Sequence, residues 1–167
     1  MPWPATTLEL LEQAGDLDVL YVPTSGGGLA AGAALVAAER APALRVIAVE
    51  PEAGDDVRRS LEAGERVRVA VPRTIADALT IDIPGALTFP VLRDHGVEAQ
   101  TVIDDELVAA MRLAFTELKL VLEPGGAAGL AAAVRAAREG FDGRAGVLAT
   151  GGNIAPEAFA RLLEEGA

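Results

Sequence analysis

The chain alternates between two patterns of apolar and polar positions. Short, almost wholly apolar runs at Val19–Val22, Arg45–Val49 and Ala145–Ala149 are separated by longer stretches whose apolar residues recur every three or four positions. A short run without a polar face predicts a strand covered on both sides, and the longer period predicts helices with one buried stripe. Residues Met1 to Ala5, carrying Pro2, Trp3 and Pro4, read as irregular. Thr6 or Thr7 is placed to cap a helix that runs to Ala14 and stops at Gly15. Further helices are expected over 28–40, 55–63, from Pro84-Gly85 to His95, over 105–119, from Gly126 to Glu139 and over 156–165. Arg66–Ala70 reads as a weak strand and Ala99–Ile103 as a further one, with Asp104 capping the long helix that follows.

Strand, glycine turn, alanine-rich helix and strand follow one another between Val19 and Val49. That order predicts a βαβ unit with parallel strands and a right-handed crossover. No linker or low-complexity segment interrupts the remainder, so residues 1–167 read as one α/β domain, a mostly parallel sheet flanked by helices.

Composition narrows the chemistry. Apolar residues make up 51% and aromatics 4%, which predicts a core of Ala, Val and Leu that allows close helix-on-sheet packing. A net charge of -11 argues against nucleic acid or an anionic membrane as partner. Without cysteine there are no disulfides, thiolate metal sites or cysteine nucleophiles. Apolar stretches are broken well before the ~20 residues a membrane span needs, and no secretory leader is visible, so a cytoplasmic location is expected. The chain has one histidine, His95, and one lysine, Lys119, so any mechanism needing either has a single candidate.

The strand Val19–Val22 breaks at Pro23 and passes through Thr24-Ser25-Gly26-Gly27-Gly28 directly into a helix. Glycines let a ligand approach the main chain, and the helix start presents unpaired N–H groups with partial positive charge, so this loop is a candidate anion site. Two other polar or glycine-rich segments, Glu50–Asp56 and Thr150–Asn153, follow predicted strands and are expected at the same crevice. Gly26-x-Gly28-x-x-Ala31, with Glu50 at a spacing suited to a ribose hydroxyl, also fits an NAD(P)-binding Rossmann fingerprint.

The ordered series Val22-Pro23-Thr24-Ser25-Gly26-Gly27-Gly28-Leu29, Glu50-Pro51, Thr74-Ile75-Ala76-Asp77, Lys119-Leu120-Val121-Leu122-Glu123-Pro124 and Thr150-Gly151-Gly152-Asn153 resembles the C-terminal half of the serine/threonine dehydratase and serine racemase family. These are pyridoxal-phosphate (PLP) enzymes of fold type II, with a tryptophan synthase beta-like large domain. The resemblance implies that main-chain N–H groups of Ser25, Gly26, Gly27, Gly28 and Leu29 hold the cofactor phosphate. The family usually has glycine where Ser25 stands. Thr150 matches the position whose side chain meets the pyridine nitrogen. A neutral hydroxyl there does not hold that nitrogen protonated, consistent with β-elimination rather than transamination. Glu50, Gly54 and Asp56 match positions that in some members bind a divalent cation, and hard oxygen ligands suit Mg2+ or Ca2+. An acidic turn at a helix start is the plain alternative. Glu123 matches a glutamate near the cofactor, and Ala78 stands where the family commonly has glycine.

The resemblance further implies a Schiff-base lysine in a Ser-Phe-Lys motif and a Ser-Gly-Asn-His segment, neither of which occurs in this sequence. Lys119 matches a non-catalytic family lysine. The expectation is therefore a truncated or split ammonia-lyase that binds PLP, takes an amino-acid substrate only with a complementary N-terminal chain, and forms a homo-oligomer. A non-catalytic PLP- or phosphate-binding remnant and an NAD(P)-binding domain remain the alternatives.

Overall fold

The computed structural model describes residues 3–165. Four parallel strands form one sheet among the described residues: β1 (Val19–Pro23), β2 (Arg45–Pro51), β3 (Glu98–Val102) and β4 (Ala145–Val147), in the spatial order β3-β2-β1-β4. Register is set by pairs such as Tyr21 with Ile47 and Leu20 with Gly146. β1 is buried along its whole length.

Alternation within these apolar runs separates two cores. Val19, Tyr21, Ile47 and Val49 face one side and pack with Met111, Ala127 and Ala131, carried by α5 (Asp104–Leu113) and α6 (Pro124–Arg138). Leu20, Val22, Val46 and Ala48 face the other side and meet Ala30, Ala34 and Ala37 of α2 (Gly28–Arg40). Val57 of α3 (Asp56–Ala63) and Leu92 of α4 (Thr88–Asp94) complete that second layer. Successive strand residues point to opposite faces, so a run with no polar position requires helices on both. α1 (Trp3–Ala14) packs on α2, while α7 (Pro156–Glu165) closes the far side, its Phe159 ring edge-on to Phe115 at 5.3 Å.

Several boundaries differ from the sequence expectation. α1 begins at Trp3, so Thr7 lies inside the helix, fully buried, and caps nothing; Met1 and Pro2 lie outside the described residues. Residues 66–70 form no strand, because β3 takes the open edge of β2; the Val69 N–H instead donates to the Asp82 carbonyl at 2.8 Å. Asp104 does not cap α5. Its carboxylate accepts from the Thr74 hydroxyl at 2.5 Å and the Ile75 N–H at 3.2 Å, and Glu106 accepts the Ile103 N–H instead. The long helix expected to Lys119 ends at Leu113 and widens into a π turn over Ala114–Leu118, after which Lys119 adopts φ 59.

The order of crossovers places the site. The chain steps from β1 to β2 to β3 in one direction, then returns across the sheet so that β4 pairs with the other side of β1. Strand order reverses between β1 and β4, and the carboxyl ends of two such strands diverge to leave a crevice.

Candidate functional site

At the crevice, β1 delivers the glycine loop and β4 delivers Thr150. Both line one cavity of about 530 Å³, together with Ala78, Leu79, Thr88, Glu123, Gly125 and Gly126. That volume falls within the ~300–1,000 Å³ typical of small-molecule sites. Ser25, Gly26, Gly27, Gly28 and Leu29 all line it.

The loop is built by main-chain bonds rather than by its own side chains. The Thr24 N–H continues the strand ladder to the Val49 carbonyl at 2.7 Å, and the Thr24 hydroxyl turns back to the Val22 carbonyl at 2.8 Å. Gly27 sits at φ 88 with Leu92 and Thr88 within 3.0 Å of where a Cβ would be, so only glycine fits. Helix α2 begins with the Ala31 N–H bonded to the Gly27 carbonyl at 2.8 Å. The N–H groups of the turn before it have no acceptor one turn back, and they carry the positive end of the helix dipole. These donors open into an otherwise largely apolar cavity, an arrangement suited to an anion.

The opposite wall depends on a very close approach. A Cβ on Gly126, in the first turn of α6, would lie 1.4 Å from the Thr150 carbonyl oxygen. Glu123, just before α6, accepts the Asn153 N–H at 2.9 Å, and its own N–H donates to the Gly151 carbonyl at 3.2 Å. Gly151 has φ 73 and lies against the Glu123 carboxylate. Glu123 therefore holds the turn that aims Thr150. Among the described residues the Thr150 hydroxyl has no hydrogen-bond partner, which leaves it available to a ligand. Ala78 lines the cavity and sits where a Cβ on Gly125 would come within 3.3 Å, so its methyl narrows that wall.

The third predicted element is elsewhere. Glu50, 1% exposed at the end of β2, does not line the cavity. Its two carboxylate oxygens accept the Val57 N–H at 3.0 Å and the Arg58 N–H at 2.8 Å, both at the start of α3. That capture leaves no route from Glu50 to a ribose hydroxyl and removes the second half of the dinucleotide reading. Burial pushes Glu50 up to about 8 despite those two N–H donors, with the neighbouring Asp56 and Asp55 adding to the rise. Burial likewise raises Asp56 to about 6, and its Oδ2 is buried without a partner. For Asp55 burial acts upward, but its ion pairs with Arg59 and Arg58 outweigh it and hold the carboxyl below its ordinary value. Gly54 is buried against Pro72. Among the described residues no three His, Asp or Glu side chains converge as a metal cluster.

Lys119 stands apart from the cavity. It follows the π turn, and its Nζ donates to the Thr116 carbonyl on the exposed surface. His95 ends α4 and is exposed. Sequence reasoning missed Thr88, Leu79 and the clamping role of Glu123. Nothing local marks Thr88, which lies more than sixty positions from the loop it touches. No helix among the described residues is long and apolar enough to cross a membrane.

Residues 4–151 match the family model described as pyridoxal-phosphate dependent enzyme. The chain is 43% identical over 157 residues to an L-threo-3-hydroxyaspartate ammonia-lyase from Pseudomonas sp., covering 93% of this chain and 49% of that protein. It is 39% identical over 158 residues to a serine racemase from Schizosaccharomyces pombe, covering 94% and 49%. Among solved structures, a threonine deaminase from T.th. superposes with a TM-score of 0.87 at 40% identity, over 92% of this chain and 56% of that one. The chain thus spans about half the length of the curated relatives it matches.

Proposed function

The chain belongs to the family of pyridoxal-phosphate dependent enzymes, within its ammonia-lyase and racemase members of fold type II, and from that premise we propose that its cavity is the cofactor-holding half of an amino-acid ammonia-lyase acting by β-elimination. One observation carries the reading: an anion cradle and an unpartnered hydroxyl, from loops far apart in the chain, face one cavity at the reversal of strand order. The relatives are named for hydroxyaspartate, serine and threonine, all α-amino acids with a β-hydroxyl, and we take that as the substrate class.

The residues fit the cofactor. Ser25 to Leu29 supply main-chain donors for a phosphate, and a side chain at Gly27 would clash with Leu92 and Thr88. When bound, pyridoxal phosphate supplies an electron sink for the pair left by α-proton removal. Thr150 would offer the cofactor's ring nitrogen a neutral hydroxyl, which would not hold it protonated and would favour loss of a β-substituent over transamination. Glu123 keeps that hydroxyl aimed. Lys119, bonded to its own turn outside the cavity, does not serve as the Schiff-base lysine. On this reading that group, and the grip on the substrate carboxylate, would be supplied by a complementary N-terminal segment. Leu118, Leu120 and Val121 stay half exposed, Val121 lying against Gly152 of the Thr150 loop, and they suit such a partner surface.

The one observation that favours a Mg2+ or Ca2+ ion beside Glu50 and Gly54 is the buried, unpartnered Asp56 Oδ2, whose burial a cation would offset. Calorimetric titration of the chain with pyridoxal phosphate, NAD and NADP tests the main reading. Pyridoxal phosphate is expected to bind and the dinucleotides not to. Tighter binding of NAD would overturn it. A borohydride-reducible adduct on Lys119, with serine deamination by this chain alone, would overturn the assignment of the lysine to other residues.

A further inference from the structure

The Gly26–Gly27 peptide is gripped from outside its own loop. The Gly85 N–H donates to the Gly26 carbonyl oxygen at 3.0 Å, and the Thr88 hydroxyl donates to the same oxygen. Thr88 opens α4, whose first turn is anchored by the Phe89 N–H bonded to the Gly85 carbonyl at 3.0 Å and by the fully buried Leu92. Both grips therefore come from one well-seated turn.

A trans peptide is planar, with its C=O and N–H pointing in opposite directions. Fixing the Gly26 oxygen against Gly85 and Thr88 therefore fixes the Gly27 N–H on the opposite side. Half a turn of this peptide would exchange that donor for a carbonyl oxygen, which repels an anion. The peptide lies between two glycines, the residue type for which such a rotation meets least steric resistance. The composition that lets a phosphate approach the main chain also leaves this peptide free to turn, unless something outside it holds it.

We propose that Thr88 is a positioning residue for anion binding: its hydroxyl, with the Gly85 N–H, locks the Gly26–Gly27 peptide so that the Gly27 N–H joins the first turn of α2 in holding a phosphate. The inference rests on the reading of this loop as the phosphate cradle. Thr88→Val keeps the shape and removes the hydroxyl, whereas Thr88→Ser keeps the hydroxyl.

Inorganic phosphate is titrated into the chain and each variant by calorimetry, while the Gly27 amide is followed in 1H–15N spectra. Thr88→Val should bind phosphate about tenfold more weakly, the loss of one hydrogen bond to a charged ligand. Its Gly27 amide should lose the phosphate-dependent downfield shift. Thr88→Ser should stay within about twofold of the parent and keep that shift, since it retains the donor. Equal binding by Thr88→Val, or a Thr88→Ser variant as weak as Thr88→Val, overturns the inference and leaves the cradle standing. Failure of the parent chain to bind phosphate or pyridoxal phosphate overturns both. Should Thr88→Val not fold, Gly85→Ala decides: its Cβ would lie 2.6 Å from Thr88 Oγ1 and 2.9 Å from the Gly26 oxygen, forcing the grip apart. Unchanged phosphate binding and Gly27 shift in that variant would reject the lock.

Discussion

The two loops that enclose the cavity are supported very differently. The glycine loop follows β1, a strand buried at every position and paired on both sides, and is tied to β2 through Thr24 and to the α4 turn through Gly26. The Thr150 loop follows β4, which is three residues long and lies at the sheet edge, and residues 151–153 are exposed. What holds it is a contact with Gly126 and the Glu123 carboxylate. The glycine-loop wall is thus set by the central core, while the Thr150 wall is set by one close backbone approach and one acid. A cofactor bound across both would tie the weaker wall to the stronger.

The comparison breaks most severely at Gly126. Gly126→Ala would place a methyl group 1.4 Å from the Thr150 oxygen. The gain from alanine in a helix, at most ~1 kcal/mol, cannot offset overpacking of about 3 kcal/mol. Thermal melting should fall, and pyridoxal phosphate affinity with it, as the Thr150 loop is displaced. An unchanged melting temperature would mean that the two walls do not meet as described.

The well-supported side has its own weak point, the acids at the end of β2. Glu50 and Asp56 are raised to about 8 and about 6 from ordinary values of 4.5 and 3.8. The folded chain therefore holds protons that the unfolded chain has already released. Their contribution to stability is present in full below the ordinary values and is lost as pH rises through about 6 and then about 8. The melting temperature should decline over that window, and magnesium should restore it at the alkaline end but not at the acid end. A flat profile, unresponsive to magnesium, would remove both the buried pair and the proposed cation.

The smallest effect is expected at Glu123. Glu123→Ala removes the acceptor for Asn153 and should cost about 1 kcal/mol, since the site is partly exposed. Faster amide exchange at Asn153 should appear, with weaker pyridoxal phosphate binding but unchanged affinity for inorganic phosphate. Equal weakening of both ligands would show that the two loops respond as one unit. Glu123→Gln, which keeps an oxygen acceptor, should fall between.

Much of this was legible in the residues. The apolar runs at 19–22 and 45–49 required strands covered on both faces, because no polar position could face water. The triple glycine before an alanine-rich helix marked a tight turn into a helix start that lines a cavity. Five ordered motifs identified the family. Local pattern misled where a distant partner took the polar group. Asp104 has the right place for a helix cap yet bonds Thr74 and Ile75, about thirty positions back. Glu50 has the spacing of a ribose ligand yet is captured by α3.

The sequence by itself determined the glycine turn into α2, since glycine conformation and helix-start donors are properties of adjacent residues. It also determined that Lys119 is the chain's one lysine. Thr150 was already expected at the glycine loop's crevice, and β4 pairing with the far side of β1 puts it there; only the tertiary structure decided that Glu50 is turned away and held by the start of α3. Only it brought Thr88 onto the Gly26 oxygen. Contacts across sixty or more positions depend on how strands order in the sheet and helices seat upon it, and no periodicity along the chain encodes that order.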